Sequence, residues 1–128
     1  MKTFLIVDDI KSWRDFHKYV INSLWGNNVN ILTAENAKEA YNVLLQKKPI
    51  DGIITDLQME DDFAPIQAGE WFIEQIKTFN CYYNTPIILI SASNSARIIA
   101  KRLGVYCIPK STAQTCLSAY REIFNKIK

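Results

Sequence analysis

Three short apolar runs constrain this chain more than any other feature, because each is unbroken and each ends on a polar residue. Phe4-Leu5-Ile6-Val7 runs into Asp8-Asp9, Ile53-Ile54-Thr55 into Asp56, and Ile87-Ile88-Leu89-Ile90 into Ser91. A strand with one wet face alternates apolar and polar residues. An unbroken run set between helical patterns is instead a strand of a parallel sheet, covered on both faces. Parallel α/β sheets bind ligands beyond the carboxyl ends of their strands. The residues that close the three runs are therefore expected at one rim.

The rest of the chain alternates strand and helix five times. Trp13, Phe16, Val20, Ile21 and Leu24 recur at helical spacing and stop before Gly26-Asn27-Asn28. A short strand over Val29 to Thr33 follows, then a helix capped by Asn36 that runs through Ala40, Val43 and Leu44 and ends before Pro49. The third strand spans Asp51 to Asp56, and a helix from near Gly69 carries Trp71, Phe72, Ile76 and Phe79. The fourth strand follows Pro86 and leads to a helix from about Asn94 to Leu103, closed by Gly104. Val105 to Ile108 is the fifth strand. One final helix from near Ser111 places Leu117, Tyr120, Phe124 and Ile127 on a single stripe. This pattern predicts a doubly wound α/β fold with a five-stranded parallel sheet, flavodoxin-like, in the order 2-1-3-4-5. Residues 1–128 are read as one domain, a length that supports one sizeable core.

The acids at the rim make sense as a set. Asp8, Asp9 and Asp56 in one cleft repel each other, which invites a cation or raised pKa values. Magnesium prefers hard oxygens, keeps several waters and commonly takes one or two carboxylates with a phosphate oxygen. One carboxylate can stay free to react, and a carboxylate nucleophile forms an acyl phosphate. Asp56 stands alone at its strand end and is the better nucleophile. Lys110, just after the fifth strand, can neutralise phosphoryl oxygens as a point charge, and the Ser91 hydroxyl can donate to them.

Composition narrows the classes. A formal charge of +2 is too small for nucleic-acid binding by bulk electrostatics. No stretch approaches the roughly 20 apolar residues of a membrane span, and the N-terminus lacks a signal-peptide pattern. Cys81, Cys107 and Cys116 have neither C-x-x-C spacing nor an even count, so a reducing cytoplasm is expected.

The four stretches Ile6-Val7-Asp8-Asp9, Thr55-Asp56-Leu57-Gln58-Met59, Ile90-Ser91-Ala92 and Ile108-Pro109-Lys110, in that order on strand ends, resemble the receiver domain of bacterial two-component response regulators. The resemblance spans essentially the whole chain. It implies a phosphoacceptor switch rather than an enzyme, with slow autodephosphorylation at most. Asp56 would take the phosphoryl group, Asp8, Asp9, Asp56 and the backbone carbonyl of Gln58 would hold Mg2+, and Ser91 and Lys110 would bind the phosphoryl oxygens. A histidine kinase or histidine phosphotransfer protein would be the donor. The fourth helix, fifth strand and fifth helix would form the readout face and a homodimer surface. With no output domain expected after Lys128, the effect is expected through a partner, a dimer or a phosphorelay step.

Three departures from the family pattern stand out. Glu60 replaces a common Pro, and Gly69 comes later than the usual Gly, so Glu60 to Ala68 reads as a lengthened loop, either a solvated acidic segment or a lid. Cys107 occupies the place of the family's mobile aromatic ring, while Tyr106 would point to the opposite face of its strand. Either Cys107 replaces that ring or the register slips at Pro109. Ser111 stands where a Pro commonly follows the Lys, often through a cis bond. Without Pro a cis bond costs about 3–4 kcal/mol, which leaves the aim of Lys110 less fixed by its backbone.

Several of these residues also have structural readings. Asp9 alone could be a helix N-cap. His17, inside the first helical pattern and away from the strand ends, reads as structural, and Trp13, Trp25 and Trp71 read as packing residues. Arg97, Lys101 and Arg102 read as a solvated face that could also meet partners. A phosphatase of the haloacid dehalogenase type needs a second acid two residues after the nucleophile, and Gln58 cannot donate as one. A receiver-like interaction module that no longer depends on phosphorylation is the remaining alternative.

Overall fold

A computed structural model describes residues 1–59 and 68–125. Five strands, β1 (Lys2–Val7), β2 (Val29–Ala34), β3 (Gly52–Asp56), β4 (Ile87–Ser91) and β5 (Tyr106–Pro109), form one parallel sheet in the order β2-β1-β3-β4-β5. The helices are α1 (Lys11–Trp25), α2 (Ala37–Leu45), α3 (Ala68–Ile76), α4 (Ala96–Leu103), α5 (Lys110–Thr115) and α6 (Leu117–Phe124), with one 3-10 turn at Asn80–Tyr82. The doubly wound architecture expected from the sequence is present.

The unbroken apolar runs are buried on both faces, as their composition requires. Leu5, Val7, Ile53, Leu57 and Leu89 face α2, α3 and α4, while Phe4, Ile6, Ile54, Ile88 and Ile90 face α1 and α6. Residues such as Phe4, Leu5 and Ile53 are fully buried, and each contributes about 1.5–3 kcal/mol of hydrophobic stabilisation. The central strands thus cannot slip by a residue without exchanging two packed faces.

Local signals set most helix ends. The Asn36 side chain accepts the Glu39 N–H at 2.8 Å at the start of α2. Gly104 adopts the left-handed conformation after α4, φ 72° and ψ 37°, returning its N–H to Ala100 and Lys101 carbonyls. Asp9 does not cap α1. The residue before that helix is Ile10, which has no side-chain cap, and its N–H donates to Asp8 Oδ1 at 2.9 Å.

Two expectations are corrected. The helix begun near Gly69 ends at Ile76, with Phe79 in the following turn. The single final helix is two: the chain breaks at Cys116, φ −137° and ψ 89°, between α5 and α6. The Thr115 hydroxyl donates back to the Ser111 carbonyl at 3.2 Å, a local bond that competes with helix propagation. Tyr120 and Phe124 are buried on α6 as the stripe required, and Ile127 lies outside the described residues.

Candidate functional site

Register brings the rim together. Val7 pairs with Thr55 and Asp56 with Ile90, so the residues that follow or close these strands share one edge of the sheet. Asp8, Asp9 and Asp56 each offer a carboxylate oxygen within 4.8 Å of the others. Asp8 and Asp56 are buried and Asp9 is half-buried. Ser91 is buried at the end of β4, where its Oγ accepts the Ser93 N–H at 3.0 Å. Lys110 opens α5 directly after β5 and reaches across β4 to Asp56 Oδ2, Nζ to oxygen 3.2 Å. The sequence-predicted side chains therefore lie along one rim of the sheet, where Lys110 reaches the acid cluster.

The Asp56 carboxylate is held from two sides. Oδ1 accepts the Leu57 N–H at 2.8 Å, the Gln58 N–H lies beside the group, and Oδ2 faces Lys110. Burial still pushes the Asp56 carboxyl above its ordinary range, and the Lys110 charge and these hydrogen bonds oppose it. Burial is also the largest cause at Asp8, which is pushed up to about 6, with Asp56 and Asp9 adding like charge. Asp8 Oδ1 is occupied by the Ile10 N–H, whereas Oδ2 is buried without a hydrogen-bond partner. Buried polar atoms are rarely left so. An orphaned hard oxygen among three carboxylates fits a divalent cation such as magnesium.

A family model described as the response regulator receiver domain matches residues 4–119. The chain belongs to the response regulator receiver family. A response regulator receiver protein of Pseudomonas putida is 26% identical over 98% of this chain and 96% of its own, with a TM-score of 0.73. The Vibrio cholerae chemotaxis protein CheY4 is 24% identical over 96% of this chain and 98% of its own, TM-score 0.75. A receiver domain of Methylobacillus flagellatus reaches TM-score 0.79 at 15% identity, covering 100% of this chain and 99% of its own. Receiver domains are signalling switches of two-component systems rather than classical enzymes. They bind Mg2+ at an acidic cluster and interact with histidine kinases or phosphotransfer proteins. No helix among the described residues is long and apolar enough to cross a membrane.

In this receiver the pairing of β5 with β4 is regular. Leu89 pairs with Cys107 and Ser91 with Pro109, so the register does not slip at Pro109. Cys107 shares the face of Ser91 and borders a cleft of about 390 Å³, also lined by Ser93, Arg97, Pro109 and Lys110. Tyr106 packs on the opposite face, against the core under α1 and α6. Gly69 closes tightly on β3, while 60–67, most of the lengthened loop, lie outside the described residues.

Sequence reasoning missed two neighbours of the site. Arg14 donates from Nη1 to the Asp8 carbonyl at 2.8 Å and from Nη2 to Glu35 at 3.2 Å, pinning the backbone of the acid pair. The indole of Trp13 has Lys110 Nζ 5.0 Å from its centroid. His17 is buried with its Nε2 lying 2.9 Å from the Tyr120 hydroxyl, and it is not remote from the site. It stacks on Trp13 at 5.6 Å, one ring away from Lys110. A basic and an aromatic residue on the first turn of the helix after an acid pair was the available signal. Packing and site roles look alike at that spacing.

Proposed function

We propose that this receiver is a phosphoacceptor switch, phosphorylated on Asp56 with Mg2+ held by Asp8, Asp9, Asp56 and the Gln58 carbonyl. The observation that carries the reading is the buried, partnerless Asp8 Oδ2 set among three carboxylates, one of which is already paired with Lys110. Magnesium, when bound, supplies positive charge to the phosphoryl oxygens. Asp56 Oδ2, which faces the flexible Lys110 side chain, is the attacking oxygen. It forms a bond to phosphorus as the phosphorus–nitrogen bond of a donor phosphohistidine breaks, and the imidazole keeps the electron pair and takes a proton. Lys110 stays charged and moves with the new phosphoryl oxygens, while the Ser91 hydroxyl donates to one of them.

The added group carries roughly −1.5 to −2 charge and tilts a two-state equilibrium. Readout would run through α4, β5 and the α5–α6 segment, toward a partner or a second copy. The exposed Arg97, Ile98 and Lys101 on α4 provide contact groups of mixed chemistry there. The test is intact mass after incubation with Mg2+ and acetyl phosphate. A gain of one phosphoryl group in the wild type and none in Asp56→Asn is expected. A phosphoryl gain in Asp56→Asn would reject the assignment, and no gain in a folded wild type would favour an interaction module independent of phosphorylation.

A further inference from the structure

The Lys110 ammonium has two neighbours of opposite character. On one side is Asp56 Oδ2 at 3.2 Å, and on the other the Trp13 ring, 5.0 Å from nitrogen to centroid. The lysine side chain is only 17% exposed, so water screens neither contact fully. We propose that Trp13 is a positioning residue for phosphoryl transfer, holding Lys110 over the site through its ring face; this rests on the phosphoacceptor reading of Asp56.

The site needs such an anchor. Lysine is a point charge on a flexible stem, with several rotatable bonds to fix. A fourth carboxylate would fix it, but would add negative charge where a phosphoryl group must enter. An indole face attracts the cation through its quadrupole and carries no net charge. It also leaves the ammonium N–H groups free to turn from Asp56 to a phosphoryl oxygen.

The ring is itself fixed. Trp13 meets Phe16 edge-to-face at 5.6 Å and stacks on His17 at 5.6 Å with planes 30° apart. His17 is buried, and its Nε2 lies 2.9 Å from the buried Tyr120 hydroxyl of α6. Burial lowers His17 to about 4, so the imidazole beside the indole is neutral at neutral pH and does not compete for its face. A contiguous set from Tyr120 through His17 and Trp13 thus ends on the lysine that touches Asp56.

The test uses the whole chain with Trp13 replaced site-specifically by tryptophans carrying one to four ring fluorines, which weaken the quadrupole with little change of shape. Phosphorylation by acetyl phosphate in Mg2+ is expected to slow stepwise, roughly threefold to tenfold across the series, while the melting temperature holds. Trp13→Phe should keep part of the rate and Trp13→Leu less. Independently, the Lys110 ε-methylene protons should resonate upfield of other lysines and lose that displacement in Trp13→Leu. A flat rate across the fluorinated series, or lysine resonances unmoved by Trp13→Leu, overturns the proposal. If the unsubstituted protein takes no phosphoryl group, the phosphoacceptor reading fails instead, and the lysine resonances alone decide the role of Trp13.

Discussion

Gly69 sits so close to Asp56 that any side chain on it would overlap the Asp56 carbonyl oxygen. A Cβ there would also lie 2.6 Å from the Leu57 Cα, and the Gly69 N–H donates to the Leu57 carbonyl at 2.9 Å. The requirement is space rather than backbone freedom. It places the start of α3 directly on the peptide that carries the proposed phosphoacceptor.

Gly69→Ala is therefore expected to act on stability and on the site together. The overlapped atoms are backbone, which cannot swing aside, so a cost of about 1–3 kcal/mol in urea unfolding is expected. Phosphorylation by acetyl phosphate should slow as well, because the displaced peptide carries Asp56. Unchanged unfolding and an unchanged rate would mean that the two elements are not in contact in solution.

Much of this was legible in the sequence, and the exceptions have physical causes. The strands were readable because burial on both faces forces unbroken apolar runs, and the acids because they fall where those runs stop. The break at Cys116 was not readable, since Leu117, Tyr120 and Phe124 keep helical spacing across it. The closeness of Gly69 to Asp56 depends on how α3 docks, which a late glycine does not reveal. Trp13 looked like core because an aromatic at helical spacing usually is. Only the path of Lys110 across β4 shows that one face of the ring meets a cation.

Asp8 should make the metal-free protein less stable as pH rises. Its folded pKa of about 6 lies above the unfolded value of 3.8, so the folded state binds more protons between those values. Stability of the wild type relative to Asp8→Asn should fall from about pH 4 to 6, by on the order of 3 kcal/mol, and level off above. Magnesium should offset about half of this, adding about 1.4 kcal/mol at ten times its dissociation constant. Asp8→Asn should be more stable than wild type at pH 7 without metal and gain little from Mg2+. A variant less stable than wild type, or equally stabilised by Mg2+, would contradict the orphaned-oxygen assignment.

His17 should act in the opposite sense over nearly the same range. Its folded pKa is lowered from 6.5 to about 4 by burial, so the unfolded state binds the extra proton. The stability it contributes is present above about pH 6.5 and is lost as pH falls toward 4. Unfolding of His17→Gln, followed against wild type from pH 7 to 4, should show the wild type losing its relative advantage as pH falls. The loss of the Tyr120 contact offsets the two curves by a constant and leaves the slope intact. Parallel curves would show that His17 is not buried in its neutral form.

The last prediction concerns what moves at β5. Tyr106 packs under α1 and α6, whereas the cleft of about 390 Å³ opens on the other face of the strand, beside Cys107 and Ser91. A ring on the wrong face of a strand cannot enter that cleft without reversing the register, which Leu89–Cys107 and Ser91–Pro109 pairing fix. Phosphorylation should therefore leave tyrosine exposure at Tyr106 unchanged, and amide exchange should alter around Ser91 to Arg97 instead. Cys107→Tyr supplies a ring on the cleft side with room to enter, and its exposure is expected to fall on phosphorylation while that of Tyr106 stays constant. Hydrogen exchange with mass spectrometry reads the amides and tyrosine-specific chemical labelling reads the rings, each with and without the phosphoryl group. Burial of Tyr106 in the phosphorylated wild type would show that β5 changes its pairing on activation and that Cys107 does not stand in for the mobile ring.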